Sequence, residues 1–255
     1  MLFRWRWLWL GCLGVATLAQ ADGEILHKRN ADFAQPGTFD KGSVGYWNQK
    51  RLVDGEAFVI RRNVHGEPWA GCFSISPSDP KISDGLRAEL RDLYVASPDE
   101  AIQYRFNTYV PAAPVFDGLP RLVLAQWHDR KEDGERAQRP PLSLRVIDGQ
   151  LKLMVWNDEV WKQQGPNGDG LVIYSQPVGS KPMWLEQVYK VRWSANGNGR
   201  VEVWWNGHRV ADYRGAIGYG DDSFGPYFKF GVYTTHALAR QVDICHSDYQ
   251  RSRWN

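Results

Sequence analysis

Leu142-Ser-Leu-Arg-Val-Ile-Asp-Gly-Gln-Leu-Lys-Leu-Met-Val-Trp156 is the stretch whose reading decides the fold. Two runs of apolar, strand-favouring residues flank Asp148-Gly149, a pair that tolerates the left-handed backbone of a tight hairpin turn. The pattern continues downstream. Segments 188–193 and 201–205 flank the glycine-rich turn at 196–199, and Asn206-Gly207 reverses the chain again before 209–213. Further strands are expected at 57–62, 86–95, 101–110, 121–128, 171–175, 227–233 and 240–245. Thirteen tryptophans, eleven tyrosines and 25 glycines suit strands and turns, and few stretches carry a helical period. Many short antiparallel strands, without strand–helix alternation or repeats, imply two sheets packed face to face. The expected fold is therefore all-β, a concanavalin-like jelly-roll sandwich. No linker interrupts residues 24–255, which are read as a single domain.

The first 21 residues read as a cleaved signal peptide. Arg4 and Arg6 open it, an apolar run follows to Leu18, and Ala19-Gln20-Ala21 offers a peptidase site. A membrane anchor is the competing reading, but the run is short for a span and no basic stop-transfer segment follows. Trp9-Leu10-Gly11 before Cys12 fits a lipidation motif poorly. The expectation is an exported soluble protein, periplasmic or secreted, monomeric and free of the membrane after cleavage.

The leader holds two arginines and no acids, so the remainder balances at 29 basic and 29 acidic residues. Such a chain lacks the global basic footprint of a nucleic-acid binder, and attraction for an anionic ligand must come from a local patch. Cys72 and Cys245 remain after cleavage. They read as a disulfide joining an early strand to the last one, with two buried thiols as the alternative. Neither has metal-ligand spacing. The charged segment 129–139, ending at Pro140-Pro141, reads either as a solvated excursion or as a rim or lid, because it follows a candidate site strand.

Three strands alternate polar and apolar residues in an unusual way. In 86–92, Arg87, Glu89 and Arg91 alternate with Leu86, Ala88 and Leu90. In 122–128, strict alternation puts Leu122, Leu124, Gln126 and His128 on one face, with Val123, Ala125 and Trp127 on the other. In 227–233, Tyr227, Lys229, Gly231 and Tyr233 oppose Phe228, Phe230 and Val232. Each feature has an ordinary explanation: Arg87, Glu89 and Arg91 as a surface ion-pair ladder, His128 as a rim residue, Tyr233 as packing, Lys229 as a solvated side chain. Their coincidence on three strands points instead to a groove.

Arg87-Ala-Glu-Leu-Arg91, Gln126-Trp-His128 and Tyr227-Phe-Lys-Phe-Gly-Val-Tyr233 together resemble the three motif strands of jelly-roll polysaccharide lyases. The alginate lyases of this fold carry Arg-x-Glu-Leu-Arg, Gln-Ile/Val-His and Tyr-Phe-Lys-x-Gly-x-Tyr in that order. Trp127 and the Pro-Pro-Leu-Ser-Leu run at 140–144 look closer to the heparin-lyase-I-like and glucuronan-lyase-like branch. The resemblance implies β-elimination on a uronic-acid polysaccharide. It assigns Arg87 and Gln126 to neutralising the substrate carboxylate, and His128 and Tyr233 to acid–base chemistry. Tyr233 is the expected proton donor, and His128 either the base or a polarising group. Lys229, Arg91 and Tyr227 are the expected binding residues. No redox cofactor is implied. A structural calcium is compatible with such sandwiches, but no clustered carboxylate loop indicates one.

Other classes leave no trace. The two-carboxylate strand of sandwich glycoside hydrolases, a Gly-x-Ser-x-Gly elbow, a phosphate-cradling loop and a His-x-x-x-His pair are all absent. The alternative from a different class is a non-catalytic, lectin-like sandwich that stacks sugars on tryptophans.

Overall fold

The computed structural model describes residues 49–51, 57–129, 138–166, 168–220 and 225–254. The expected leader, the expected domain's residues 24–48 and most of the charged segment, 130–137, lie outside the described residues. In chain order the strands are β1 (Gln49–Arg51), β2 (Phe58–Val64), β3 (Glu67–Ile75), β4 (Leu86–Val95), β5 (Ala101–Val110), β6 (Arg121–His128) and β7 (Leu142–Ile147). They continue as β8 (Gln150–Val155), β9 (Leu171–Pro177), β10 (Met183–Arg192), β11 (Arg200–Trp205), β12 (His208–Arg214), β13 (Tyr227–Thr234) and β14 (Val242–Arg253), with one short helix, α1 (Asp158–Gln164), after β8.

The strands form two antiparallel sheets, the expected jelly-roll sandwich. One runs β1-β4-β13-β6-β7-β8-β9 and the other β12-β11-β10-β5-β14-β3-β2. The hairpin that opens the reading closes as expected, with Asp148 and Gly149 at φ of 49° and 70°. Asn206 and Gly207 turn the same way at 48° and 77°.

The core lies between the sheets and is strongly aromatic. Trp127 of β6 packs on Tyr189 of β10 with ring centroids 4.7 Å apart, and Phe228 of β13 stacks on Tyr249 of β14 at 5.0 Å. Phe73 of β3 meets Phe230 edge-on at 5.7 Å. Each such buried side chain contributes about 1.5–3 kcal/mol through area removed from water. Phe228, Phe230 and Val232 all belong to this core. Burying them leaves the alternate residues of β13 on the sheet's outer face, which is what the sequence period requires.

Three local features depart from the sequence reading. β3 is absent from the expected strands; it contains Pro68 and Gly71, residue types that favour turns, yet it pairs with both β2 and β14. Pairing on both sides overrides propensity there. The helix α1 has no long apolar period; it starts because Asn157 caps it, accepting from the Val160 N–H at 2.9 Å, with Asp158 and Glu159 in its first turn. On β6, strict alternation fails. The register slips between Val123 and Ala125, a bulge that carries Leu122 and Leu124 into the core with Trp127 and puts Val123 on the outer face.

Cys72 and Cys245 face each other in register on β3 and β14 and form a disulfide across 173 residues of sequence. Closing so long a loop restricts the unfolded chain. Replacing both cysteines by alanine is expected to lower unfolding free energy by about 2–5 kcal/mol, measured by denaturant titration. An unchanged midpoint would show that the cross-link does not contribute.

Candidate active site

The three motif strands are neighbours in the order β4, β13, β6, with β13 in the middle. Register then aligns their polar residues in rows. Tyr233 sits between Arg87 and Val123, Lys229 between Arg91 and Gln126, and Tyr227 beside His128. Gly231 is required where β13 passes β4. It has φ of 139°, and a Cβ there would meet the Ala88 carbonyl oxygen at 2.1 Å.

A cleft of about 410 Å³ opens over these rows. Arg87, Gln126, His128, Lys229 and Tyr233 all line it. Arg91 and Tyr227 stand beside it rather than in its lining. The Arg91 guanidinium lies 3.7 Å over the Tyr227 ring, and that ring stacks on His128 at 5.7 Å. Arg87 makes the matching contact with Tyr233, 4.0 Å from its ring centre.

Beneath the cleft, Glu89 gathers the polar side chains of three strands. Its carboxylate accepts from Gln126 Nε2 at 2.5 Å, from Lys229 Nζ at 3.4 Å and from Arg87 at 3.4 Å. The contact settles the Gln126 amide, because a carboxylate accepts only and the amide nitrogen must face it. Arg87 also pairs with Asp84 at 3.2 Å.

His128 and Tyr233 differ in what they present to the cleft, the one a lone pair and the other a proton. His128 Nδ1 lies 2.8 Å from the Asp129 carbonyl oxygen, which can only accept. The proton is therefore on Nδ1, and Nε2 carries the lone pair. Burial, reinforced by the Lys229 charge, lowers the imidazole to about 4, so the ring is neutral at ordinary pH. Tyr233 moves the other way. Burial raises it and Asp84, which accepts its hydroxyl proton at 3.2 Å, adds to the rise; the Arg87 charge opposes both but does not prevail. A phenol so placed keeps its proton and can donate it.

Several cleft residues were not singled out in the sequence. Arg121, Arg139 and Arg145 bring the lining to five basic side chains against one acid, Asp84. This is the local cationic patch that a balanced chain must supply to attract an anion. Arg145 read as one polar residue of a hairpin, and only the register of β7 against β6 reveals where it points. Trp161 of α1 also lines the cleft, held by Trp156 and Tyr219 at 6.0 and 6.3 Å. Trp127, Trp156, Trp193 and Trp205 are buried, while Trp69, Trp161, Trp184, Trp204 and Trp254 are half-buried, and of these Trp161 is the one in the cleft lining. Of the charged segment 129–139, both described ends, Asp129 and Gln138–Arg139, adjoin the cleft through His128 and the lining. Among the described residues no group of three or more His, Cys, Asp or Glu is placed to hold a metal ion, and no helix is long and apolar enough to cross a membrane.

A family model described as polysaccharide lyase matches residues 36–254, most of the chain. The chain belongs to the polysaccharide lyase family. No curated protein sequence matches it. Among solved structures it is similar to an endo-β-1,4-glucuronan lyase from the fungus Trichoderma reesei, with 17% identity and a TM-score of 0.61 over 82% of this chain and 92% of that one. An alginate lyase of polysaccharide lyase family 7 superposes with a TM-score of 0.56 at 16% identity, over 79% of this chain and 85% of that one. An alginate lyase from Pseudomonas aeruginosa gives 0.51 at 16% identity, over 82% and 98%. At these identities the superpositions establish a shared fold, and the chemistry has to be argued from the cleft. The lyase assignment also sets aside the lectin alternative.

The protonation of His128 is directly measurable. Nitrogen-15 spectra of the imidazole are expected to show a proton on Nδ1 and a ring that stays neutral down to about pH 4. A titration midpoint near 6.5 would contradict the burial argument.

Proposed function

We propose that this lyase cleaves a uronic-acid-containing polysaccharide by β-elimination, with His128 as base and Tyr233 as acid. One observation carries the reading: a neutral imidazole with an available lone pair and a protonated phenol share a cleft lined by cations. The neighbouring folds act on uronate polymers by their names, glucuronan and alginate, which supports the same substrate class here.

The chemistry follows from the substrate. The proton on C5 of a uronate is adjacent to a carboxylate, whose charge resists formation of a second negative centre. Arg87, Lys229 and the remaining Gln126 N–H supply positive charge and hydrogen bonds to that carboxylate, so that negative charge spreads onto its oxygens as the C5–H bond breaks. The C5 proton goes to His128 Nε2. The electron pair left on C5 forms the C4–C5 double bond, and the C4–O4 bond breaks. Tyr233 gives its proton to O4, which leaves as the new reducing end. Transfer between the two side chains, directly or through solvent, restores the starting states. Because His128 is lowered to about 4 in the empty cleft, it is a weak base until a substrate carboxylate enters. That negative charge raises the affinity of the ring for a proton at the step that needs it.

The protein is further proposed to act outside the cytoplasm. The leader pattern and the Cys72–Cys245 disulfide both support an oxidising compartment.

Incubation with glucuronan, alginate, heparin and hyaluronan, followed by ultraviolet absorbance of the new double bond, tests the reading. Absorbance should grow on at least one uronate polymer. Tyr233→Phe is expected to lower kcat by about 10²–10⁴ with little change in substrate binding. Full turnover by that variant would remove the hydroxyl from the mechanism.

A further inference from the structure

Arg145 is a buried cation that the elimination does not use. It is 3% exposed yet lines the cleft. Its Nε donates to Ser143 Oγ at 2.9 Å, and among the described residues no carboxylate lies within ion-pair distance of it. Its charged neighbours in the cleft make its position worse. Burial above all, with the charges of Arg121 and Arg139, lowers it to about 9, and the more distant Asp169 offsets only part of this. Arg121 is already paired with Asp169 at 2.5 Å, whereas Arg139 donates to the Pro166 carbonyl, a neutral acceptor. Burying a guanidinium without an acid costs several kcal/mol. Such a site is relieved when an anion enters.

Register shows where that anion would be. Gln126 pairs with Ser143 across β6 and β7, so Arg145 is its diagonal neighbour, about 7–8 Å away. A row also runs across the sheet from Arg87 through Tyr233 and Val123 to Arg145, then to Lys152 on β8. Arg145 stands two strands from Tyr233, about 10 Å by strand spacing. That is a reach of one to two sugar rings from the bond that Tyr233 would protonate. Between them Val123, brought to this face by the β6 bulge, leaves an apolar floor without a competing polar group.

We propose that Arg145, flanked by Arg121 and Arg139, forms a second anion subsite that holds the carboxylate of another uronate on the same chain, beside the one undergoing elimination. The subsite rests on the uronate reading above and sharpens it. Efficient substrates carry acid on closely spaced sugars, and a uronate flanked only by neutral sugars leaves Arg145 unpaired.

The substrate can be altered rather than the protein. A homopolymeric uronate whose carboxylates are randomly reduced to alcohols is offered to the wild-type enzyme below saturation. If two carboxylates are read, the initial rate falls with the square of the fraction remaining, so half-reduction leaves about a quarter of the rate. If only the carboxylate at the cleaved sugar matters, about half remains, and the subsite is wrong. No cleavage of the unreduced polymers would overturn the elimination reading and the subsite with it. In parallel, Arg145→Gln, with folding checked by thermal melt, is expected to raise KM on the unreduced polymer about tenfold, the loss of one hydrogen-bonded charge contact. It should also flatten the dependence on reduction from square towards linear. A folded variant with unchanged KM and an unchanged square dependence would overturn the assignment to Arg145.

Discussion

Three strands would carry unrelated polar side chains if the Glu89 carboxylate did not join them. It is nearly inaccessible, and it accepts from Arg87 on its own strand, Lys229 on β13 and Gln126 on β6. Like cations placed that close would otherwise repel, and an unpaired buried charge is costly. One acid therefore lets the cleft concentrate positive charge and still fold. The same contact turns the Gln126 amide and fixes the height of Lys229, whose charge in turn helps keep His128 neutral. Structure and chemistry meet at this residue. The sheet can present a cationic surface to a substrate because it has buried an anion behind it.

The sandwich itself does the rest of the positioning. Phe228, Phe230 and Trp127 are anchored in an aromatic core, so the residues between them have no choice but the outer face. Stacking then refines orientation. Arg87 on Tyr233 and Arg91 on Tyr227 pin two phenol rings at either end of the β13 row, and Tyr227 passes that constraint to His128. A chain that is electrically balanced over most of its length thereby gathers five basic side chains in one cleft.

Much of this was legible because strands obey a period of two. The alternation of 227–233 placed Lys229 and Tyr233 together, and the Asp148-Gly149 and Asn206-Gly207 turns announced their hairpins. What could not be read was whatever depends on a partner strand. The β6 bulge reverses the facing of Leu122, Val123 and Leu124, and no residue in that segment signals it. Glu89 stood in plain view within Arg87-Ala-Glu-Leu-Arg91, but as part of a ladder; its partners come from strands 37 and 140 residues away. Arg145 had no local signature at all, since its significance lies in facing Val123 and in having no carboxylate within ion-pair distance among the described residues. β3 was obscured by Pro68 and Gly71, whose turn preference loses to pairing on both edges.

The central claim is that cleavage proceeds by proton transfer at C5 and O4 without addition of water to the sugar. Digestion of the cleaved uronate polymer in heavy-oxygen water, with the products weighed by mass spectrometry, tests it most directly. Elimination predicts unsaturated products that carry no heavy oxygen when analysed before the reducing ends exchange with solvent. Saturated products with one heavy oxygen per cleaved bond would mean hydrolysis and would contradict the account.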